Sequence, residues 1–225
     1  MRKIILLFAI FATLGSFAQQ PTPSLVQVVG EGTVSVVPDE VVIRARAEHT
    51  GQSASSVKKL NDEVVANVIE YLKEKGIPAK NIRTDYIRLD KEYDYNSKEY
   101  LFSANQAISI HLKDLERYEE IMSGLLNSGL NRIDGVEFKT SKEEALKSEA
   151  RKKAMLDAKK KAEEFALALG QEIGRAHQIS EVESGNYQPV YKVMRMESAD
   201  SAGGETIAPG EMEITVKVNV GFELN

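Results

Sequence analysis

Residues 142–169 carry the longest helical pattern in this chain, and its packing side is written mostly in alanine. Ser141 and Glu144 read as a capping box at its start, and Gly170 as its stop. Leu146, Ala150, Ala154, Ala158, Ala162, Phe165 and Leu169 recur along it. Their mean step is about 3.8 residues, above the 3.6 of a straight helix, so the stripe winds slowly. Alanine permits a neighbouring backbone to approach closely. At 1.5 Å per residue the helix is about 42 Å long, whereas a compact chain of this size has a radius of gyration of about 17 Å. Such a helix spans or overhangs the body. An overhanging face at Ala150, Ala154, Ala158 and Ala162 is expected to meet another subunit.

The rest of the pattern gives strands. Ile214, Val216, Val218, Val220, Phe222 and Leu224 alternate with polar residues or glycine, the signature of an antiparallel strand with one buried face. Val41, Ile43, Ala45 and Ala47 likewise share one face of a strand, with Arg44, Arg46 and Glu48 on the other. Strands are also expected over Leu25–Val29 and Thr33–Val37, around a turn or bulge at Gly30-Glu31-Gly32. Ile82–Tyr93 and Tyr100–Leu112 read as a long hairpin turning at Asn96-Ser97, and Arg132–Phe138, Ala176–Val182 and Val190–Met196 as further strands. Two shorter helices fit between them. One runs over about Ala54 to Lys75, capped by Ser53, with Val57, Leu60, Val64, Val68 and Leu72 at helical spacing and Gly76 as its stop. The other runs over about Leu115 to Asn127, capped by Asp114 and stopped near Gly129. Val68–Ile77 and Ile121–Leu130 form a weak repeat in which Leu72, Gly76 and Ile77 match Leu125, Gly129 and Leu130. The expected fold is therefore α+β: antiparallel sheets packed against two amphipathic helices, plus one long alanine-rich helix.

The N-terminus reads as an address. Arg2 and Lys3 precede the apolar run Ile4–Leu14, and Ser16-Phe17-Ala18 supplies small residues for cleavage after Ala18. Residues 1–18 are thus expected to be a signal peptide, leaving an exported domain over 19–225 with a mobile loop at about 197–210. No other segment approaches the roughly 20 apolar residues of a membrane-spanning helix. The full chain of 225 residues has 29 basic and 34 acidic side chains, and removing Arg2 and Lys3 makes it more acidic still. Nucleic-acid binding, which needs a basic face, is not expected. The absence of cysteine excludes disulfides, thiol catalysis, zinc–thiolate sites and iron–sulfur clusters.

Candidate chemistry is thin. Ser55-Ser56-Val57-Lys58 fits the S-x-x-K of penicillin-binding enzymes, and Lys139-Thr140-Ser141 and Ser184-Gly185-Asn186 resemble companion motifs. They stand in the reverse order, and the K-T element lacks its glycine, so helix capping explains the serines better. Asp90-Lys91-Glu92-Tyr93-Asp94 starts like a calcium loop, but Tyr95 and Leu101 occupy the positions that need glycine and glutamate. His49, His111 and His177 show no metal-binding spacing. Gly30-Glu31-Gly32 precedes a strand, against a dinucleotide fingerprint. Arg151-Lys152-Lys153 and Lys159-Lys160-Lys161 are interspersed with acids and read as a mixed solvated face, with attraction to anionic lipid as a secondary reading. No catalytic set and no cofactor are expected. Tyr86, Tyr93, Tyr95 and Tyr100 gather on the hairpin, where amphipathic aromatics suit packing or an interface.

Several segments together resemble the SIMPL-domain family of exported bacterial proteins. They are V-V-G-E-G-T-V-S-V-V-P-D (Val28–Asp39), L-N-D-E-V-V-A-N-V-I-E-Y-L-K-E-K-G-I (Leu60–Ile77), N-I-R-T-D-Y-I-R-L-D-K-E-Y (Asn81–Tyr93), N-R-I-D-G-V-E-F (Asn131–Phe138) and A-R-K-K-A-M-L-D-A-K-K-K-A-E-E-F-A (Ala150–Ala166). Asn81 stands where the family usually has aspartate. The resemblance implies a periplasmic or envelope-associated α+β domain, self-assembly into ring-like oligomers in some members, and a loosely defined role in envelope or oxidative stress tolerance. It carries over no catalytic residue.

The leading expectation is a non-enzymatic exported scaffold that forms homo-oligomers, with peripheral envelope contact. Its contact residues are expected among Ala150, Ala154, Ala158, Ala162, Tyr93, Tyr95 and Tyr191. The alternative is a periplasmic binding module for a peptide, lipid or small ligand, using the tyrosine-bearing hairpin and the Tyr187–Met196 segment. A serine hydrolase built on Ser55 or Ser56 is the third.

Overall fold

The computed structural model describes residues 24–182, the backbone of 190–192, and residues 209–225. The expected signal segment 1–18 and nearly all of the expected loop at 197–210 lie outside the described residues. The chain is α+β, and divides into two compact units. One is drawn from Met1–Gly32, Arg151–Ser184 and Val216–Asn225, the other from Thr33–Ala150 and Gly185–Thr215.

The described chain opens with β1 (Leu25–Val36). In the second unit β2 (Glu40–Gly51) leads through α1 (Ala54–Glu74) to β3 (Ile82–Asp94), which forms a hairpin with β4 (Glu99–Leu112). A 3₁₀ turn over Leu115–Arg117 and α2 (Tyr118–Asn127) follow, and lead to β5 (Arg132–Lys139). The sheet order is β3-β4-β2-β5, with every neighbouring pair antiparallel. This order of elements is the split β-α-β arrangement of ferredoxin-like domains.

Both helices cover one face of that sheet. Val41, Ile43, Ala45 and Ala47 of β2 and Ile108, Ile110 and Leu112 of β4 pack with Val65, Val68, Leu72, Ile121 and Leu125. Each fully buried Leu or Ile contributes about 1.5–3 kcal/mol. The sequence repeat is the shared stop of the two helices. Gly76 and Gly129 adopt φ of 73° and 97°. The N–H of Gly76 donates to the Lys73 carbonyl and that of Ile77 to Leu72; Gly129 and Leu130 donate likewise to Leu126 and Leu125. These are Schellman stops, in which the residue after the glycine returns its side chain to the core. Ile77 and Leu130 are both buried.

The face of α1 differs from the expected stripe. Val57, Asn61, Val65, Val68 and Leu72 are buried, while Leu60 is half exposed. Asn61 is tolerated there because its side-chain carbonyl lies 3.2 Å from His49 Nδ1. Ser53 caps the helix as expected, accepting from the Ser56 N–H.

In the first unit α3 (Glu143–Ala168) contributes from Arg151 onward, with β6 (Ile173–Val182) and β8 (Glu211–Leu224) from Val216 onward. Their sheet runs β1-β8-β6, and β7 (Val190–Lys192) pairs with the start of β8. The alternation of β8 is borne out, with Ile214, Val216, Val218, Val220 and Phe222 buried. Gly30-Glu31-Gly32 is not a turn but the middle of a continuous strand. Its glycine serves packing: a Cβ on Gly30 would fall on the backbone of Ala154 and Ala158. The Glu31 N–H donates to Asp157, and Lys161 Nζ donates to the Val29 carbonyl.

The alanine stripe runs further than expected, through Ala150, Ala154, Ala158, Ala162 and Ala166. Each step of four residues turns the stripe by about 40°. Phe165 and Leu169, expected in it, are exposed because the path has moved on to Ala166.

Candidate interaction surface

The alanines assigned to a subunit contact do not form a free surface. Ala150, Ala154, Ala158 and Ala162 have no exposed area within the single chain, and for Ala154 and Ala158 the cover includes β1 at Gly30. This corrects the expected overhang: alanine here lets the chain's own strand approach its own helix. Much of the charged remainder of α3 is paired, Lys159 with Glu163, Lys160 with Glu164, Lys161 with Asp157, and Arg151 with Glu181 of β6.

The tyrosines are a different matter. Among the described residues β3 is an edge strand of its sheet, and its residues from Arg83 to Leu89 are all exposed. At the hairpin end the Tyr93 ring meets Tyr95 and Tyr100 edge-on, each at 5.1 Å between centroids. Lys91 Nζ lies 4.8 Å from the Tyr100 centroid and 5.7 Å from that of Phe102. Tyr95 is 84% exposed. The turn is rigidly closed by Asp94, whose carboxylate accepts from the Asn96 N–H, the Ser97 N–H and the Ser97 hydroxyl. These bonds, the Asn96 N–H foremost, hold Asp94 below the usual carboxylate range. Tyr191 pairs through its backbone with Met212, and its side chain lies outside the described residues.

Sequence reasoning missed the apolar residues nearest this cluster. Ile87 is 69% and Leu89 45% exposed on the helix-side face of β3. Tyr86 is exposed on the opposite face, beneath the Arg88 guanidinium at 5.6 Å. The run Tyr86-Ile87-Arg88-Leu89, with large apolar groups on both sides of the strand, was the available signal. A strand that long, with one unpaired edge among the described residues, presents free backbone donors and acceptors alongside apolar side chains.

The residues considered for catalysis or metal binding each have a partner of their own. Ser55 Oγ lies 3.0 Å from Ser53 Oγ, while Lys58 is engaged with Asp62 one turn on. His49 faces Asn61, His111 Nε2 lies 2.8 Å from Glu40, and His177 lies 3.7 Å from Glu223.

Fold and surface define an α+β protein with a helix-covered split β-α-β sheet and an open, aromatic-ended edge. The chain belongs to the SIMPL family, described as a protein of unknown function (DUF541), whose model matches residues 26–222. It is 28% identical over 230 residues to the uncharacterized protein YggE of Escherichia coli K12, covering 99% of this chain and 93% of that one. It is 27% identical over 229 residues to a 26 kDa periplasmic immunogenic protein of Brucella melitensis, covering 94% of this chain and 91% of that one.

Proposed function

We propose that this chain is a non-enzymatic, exported envelope protein that acts as a self-assembling scaffold, and that copies associate by strand addition along β3. The observation that carries the reading is the exposed edge of β3 with Ile87 and Leu89 beside it. Its charges fit a second copy of itself. In an antiparallel pairing centred on Leu89, each Arg88 stands opposite the partner copy's Asp90, and Ile87 stands opposite the Lys91 stem. Charges that would bar other registers thus favour this one. The separate engagements of the histidines and of Lys58 support the non-enzymatic part. Export to the periplasm is supported by the signal-like residues 1–18 and by the periplasmic relative. A contribution to envelope or oxidative stress tolerance belongs to the same reading.

Light scattering behind size exclusion on residues 19–225, with and without Leu89→Lys, tests it. Because the pairing is symmetric it closes as a dimer, and a dimer that Leu89→Lys shifts toward monomer is expected. A monomer at high concentration, or a species indifferent to Leu89→Lys, overturns it.

A further inference from the structure

The face of the β3-β4-β2-β5 sheet away from the helices carries a second feature, independent of the strand edge. Arg83 of β3 and Arg44 of β2 are both register partners of Ser109 on β4, so the three form one row across the sheet. Gly135 of β5 extends the row beyond Arg44. Two long cationic side chains therefore rise on either side of a small, half-buried serine, from strands about 10 Å apart. The result is a depression of about 250 Å³, whose lining adds Lys80, Lys139, Asn81 and His111. Four permanent cations line it and no carboxylate does, in a chain whose formal net charge is −5. With the adjacent Glu137, Asp85 and Glu40 counted, a small net positive charge remains, opposite in sign to the chain as a whole.

The neighbouring acids offset part of the charge: Arg44 and Lys139 share Glu137, Arg83 holds Asp85, and His111 lies 2.8 Å from Glu40, while Lys80 has no ion pair among the described residues. Both arginine side chains are largely solvent-exposed while Glu137 and Asp85 are half-buried, so the guanidinium groups are free to turn toward a ligand. Each guanidinium keeps donors beyond those its partner uses. The geometry points to a binding site for a phosphate group, with Arg44 and Arg83 gripping it from two sides above the Ser109 hydroxyl, and Lys80 and Lys139 supplying further charge. A phosphate offers more acceptor oxygens than a carboxylate, which suits donors converging from three strands.

The test uses the full exported chain and three probes: inorganic phosphate, glycerol phosphate, and vesicles of phosphatidylglycerol in phosphatidylcholine against pure phosphatidylcholine. Each is titrated against wild type, Arg44→Gln/Arg83→Gln, Ser109→Glu, and the control Lys159→Gln/Lys160→Gln, whose charge change matches the arginine pair. Thermal unfolding establishes that the variants are folded. Binding of at least one phosphate probe is expected, weakened about tenfold or more by the arginine pair and by Ser109→Glu but not by the control. Arginine-dependent binding of the soluble probes identifies a free phosphate ligand; arginine-dependent binding of anionic vesicles alone identifies a lipid headgroup. No binding of any probe, or equal loss in the α3 control, overturns the assignment. Neither outcome bears on strand addition at β3, which is read from oligomeric mass.

Discussion

Gly30 and Ala154 are packed so closely that a methyl group on Gly30 would lie 2.0 Å from the Ala154 carbonyl oxygen, and 2.7 Å from the Ala158 side chain. The obstacle is helix backbone, which cannot swing aside as a side chain can. Gly30→Ala is expected to destabilise the protein by about 3 kcal/mol, the upper range of overpacking costs. Gly135→Ala, where nothing lies within 4 Å, is expected to stay within about 0.5 kcal/mol of wild type. Urea unfolding of both variants checks the contrast.

Gly124 on α2 faces the Tyr71 ring from α1, with a built Cβ only 1.9 Å from it. The Tyr71 hydroxyl donates to the Glu120 carbonyl at 2.9 Å. An alanine at 124 gains up to about 1 kcal/mol of helix propensity but expels the ring. Gly124→Ala is therefore expected to destabilise wild type and to stabilise a Tyr71→Ala background. The sign reversal appears in a double-mutant cycle of unfolding free energies.

The two helix stops are distinguishable in the same way. Gly76→Ala meets open space and is expected to cost only the left-handed backbone term, about 1–2 kcal/mol. Gly129→Ala adds a contact at 3.1 Å with the Val64 side chain and is expected to cost more. Thermal melts of the pair give the order.

Much of this was legible from residue pattern, and the misses share a cause. β8, the buried side of β2, the long hairpin and both glycine stops follow from local rules. Leu60 reads into the α1 stripe because a hydrophobic residue at helical spacing outweighs an asparagine on sequence alone; only His49, on another element, makes Asn61 acceptable inside. The alanine stripe is legible but its partner is not, since nothing local shows that Gly30 meets it. The polar side of β2 shows Arg44, yet the register that sets it beside Ser109 and Arg83 is a property of three paired strands.

Acid should weaken the contact between Asp39 and Ser141. Its carboxylate accepts from both the hydroxyl and the N–H of Ser141. The hydroxyl bond, the largest influence, holds Asp39 below the ordinary aspartate range. A depressed folded-state value means that the stabilisation is present above the unfolded value of about 3.9 and is lost as pH falls through the folded value. Ser141→Ala is expected to be less stable than wild type at pH 7, with the gap narrowing below pH of about 4. Unfolding midpoints of both proteins from pH 7 to pH 3 follow this; a gap independent of pH would argue against the assignment.

Association through β3 is the central claim, and the lack of native cysteine makes it directly measurable. Leu89→Cys puts one thiol at the centre of the proposed pairing, and Leu126→Cys puts one on α2, where Leu126 is 51% exposed. Under mild oxidation of the assembled protein, Leu89→Cys should yield a disulfide-linked dimer rapidly and Leu126→Cys should not. Equal rates for the two, or no dimer from Leu89→Cys, would contradict strand addition at this edge.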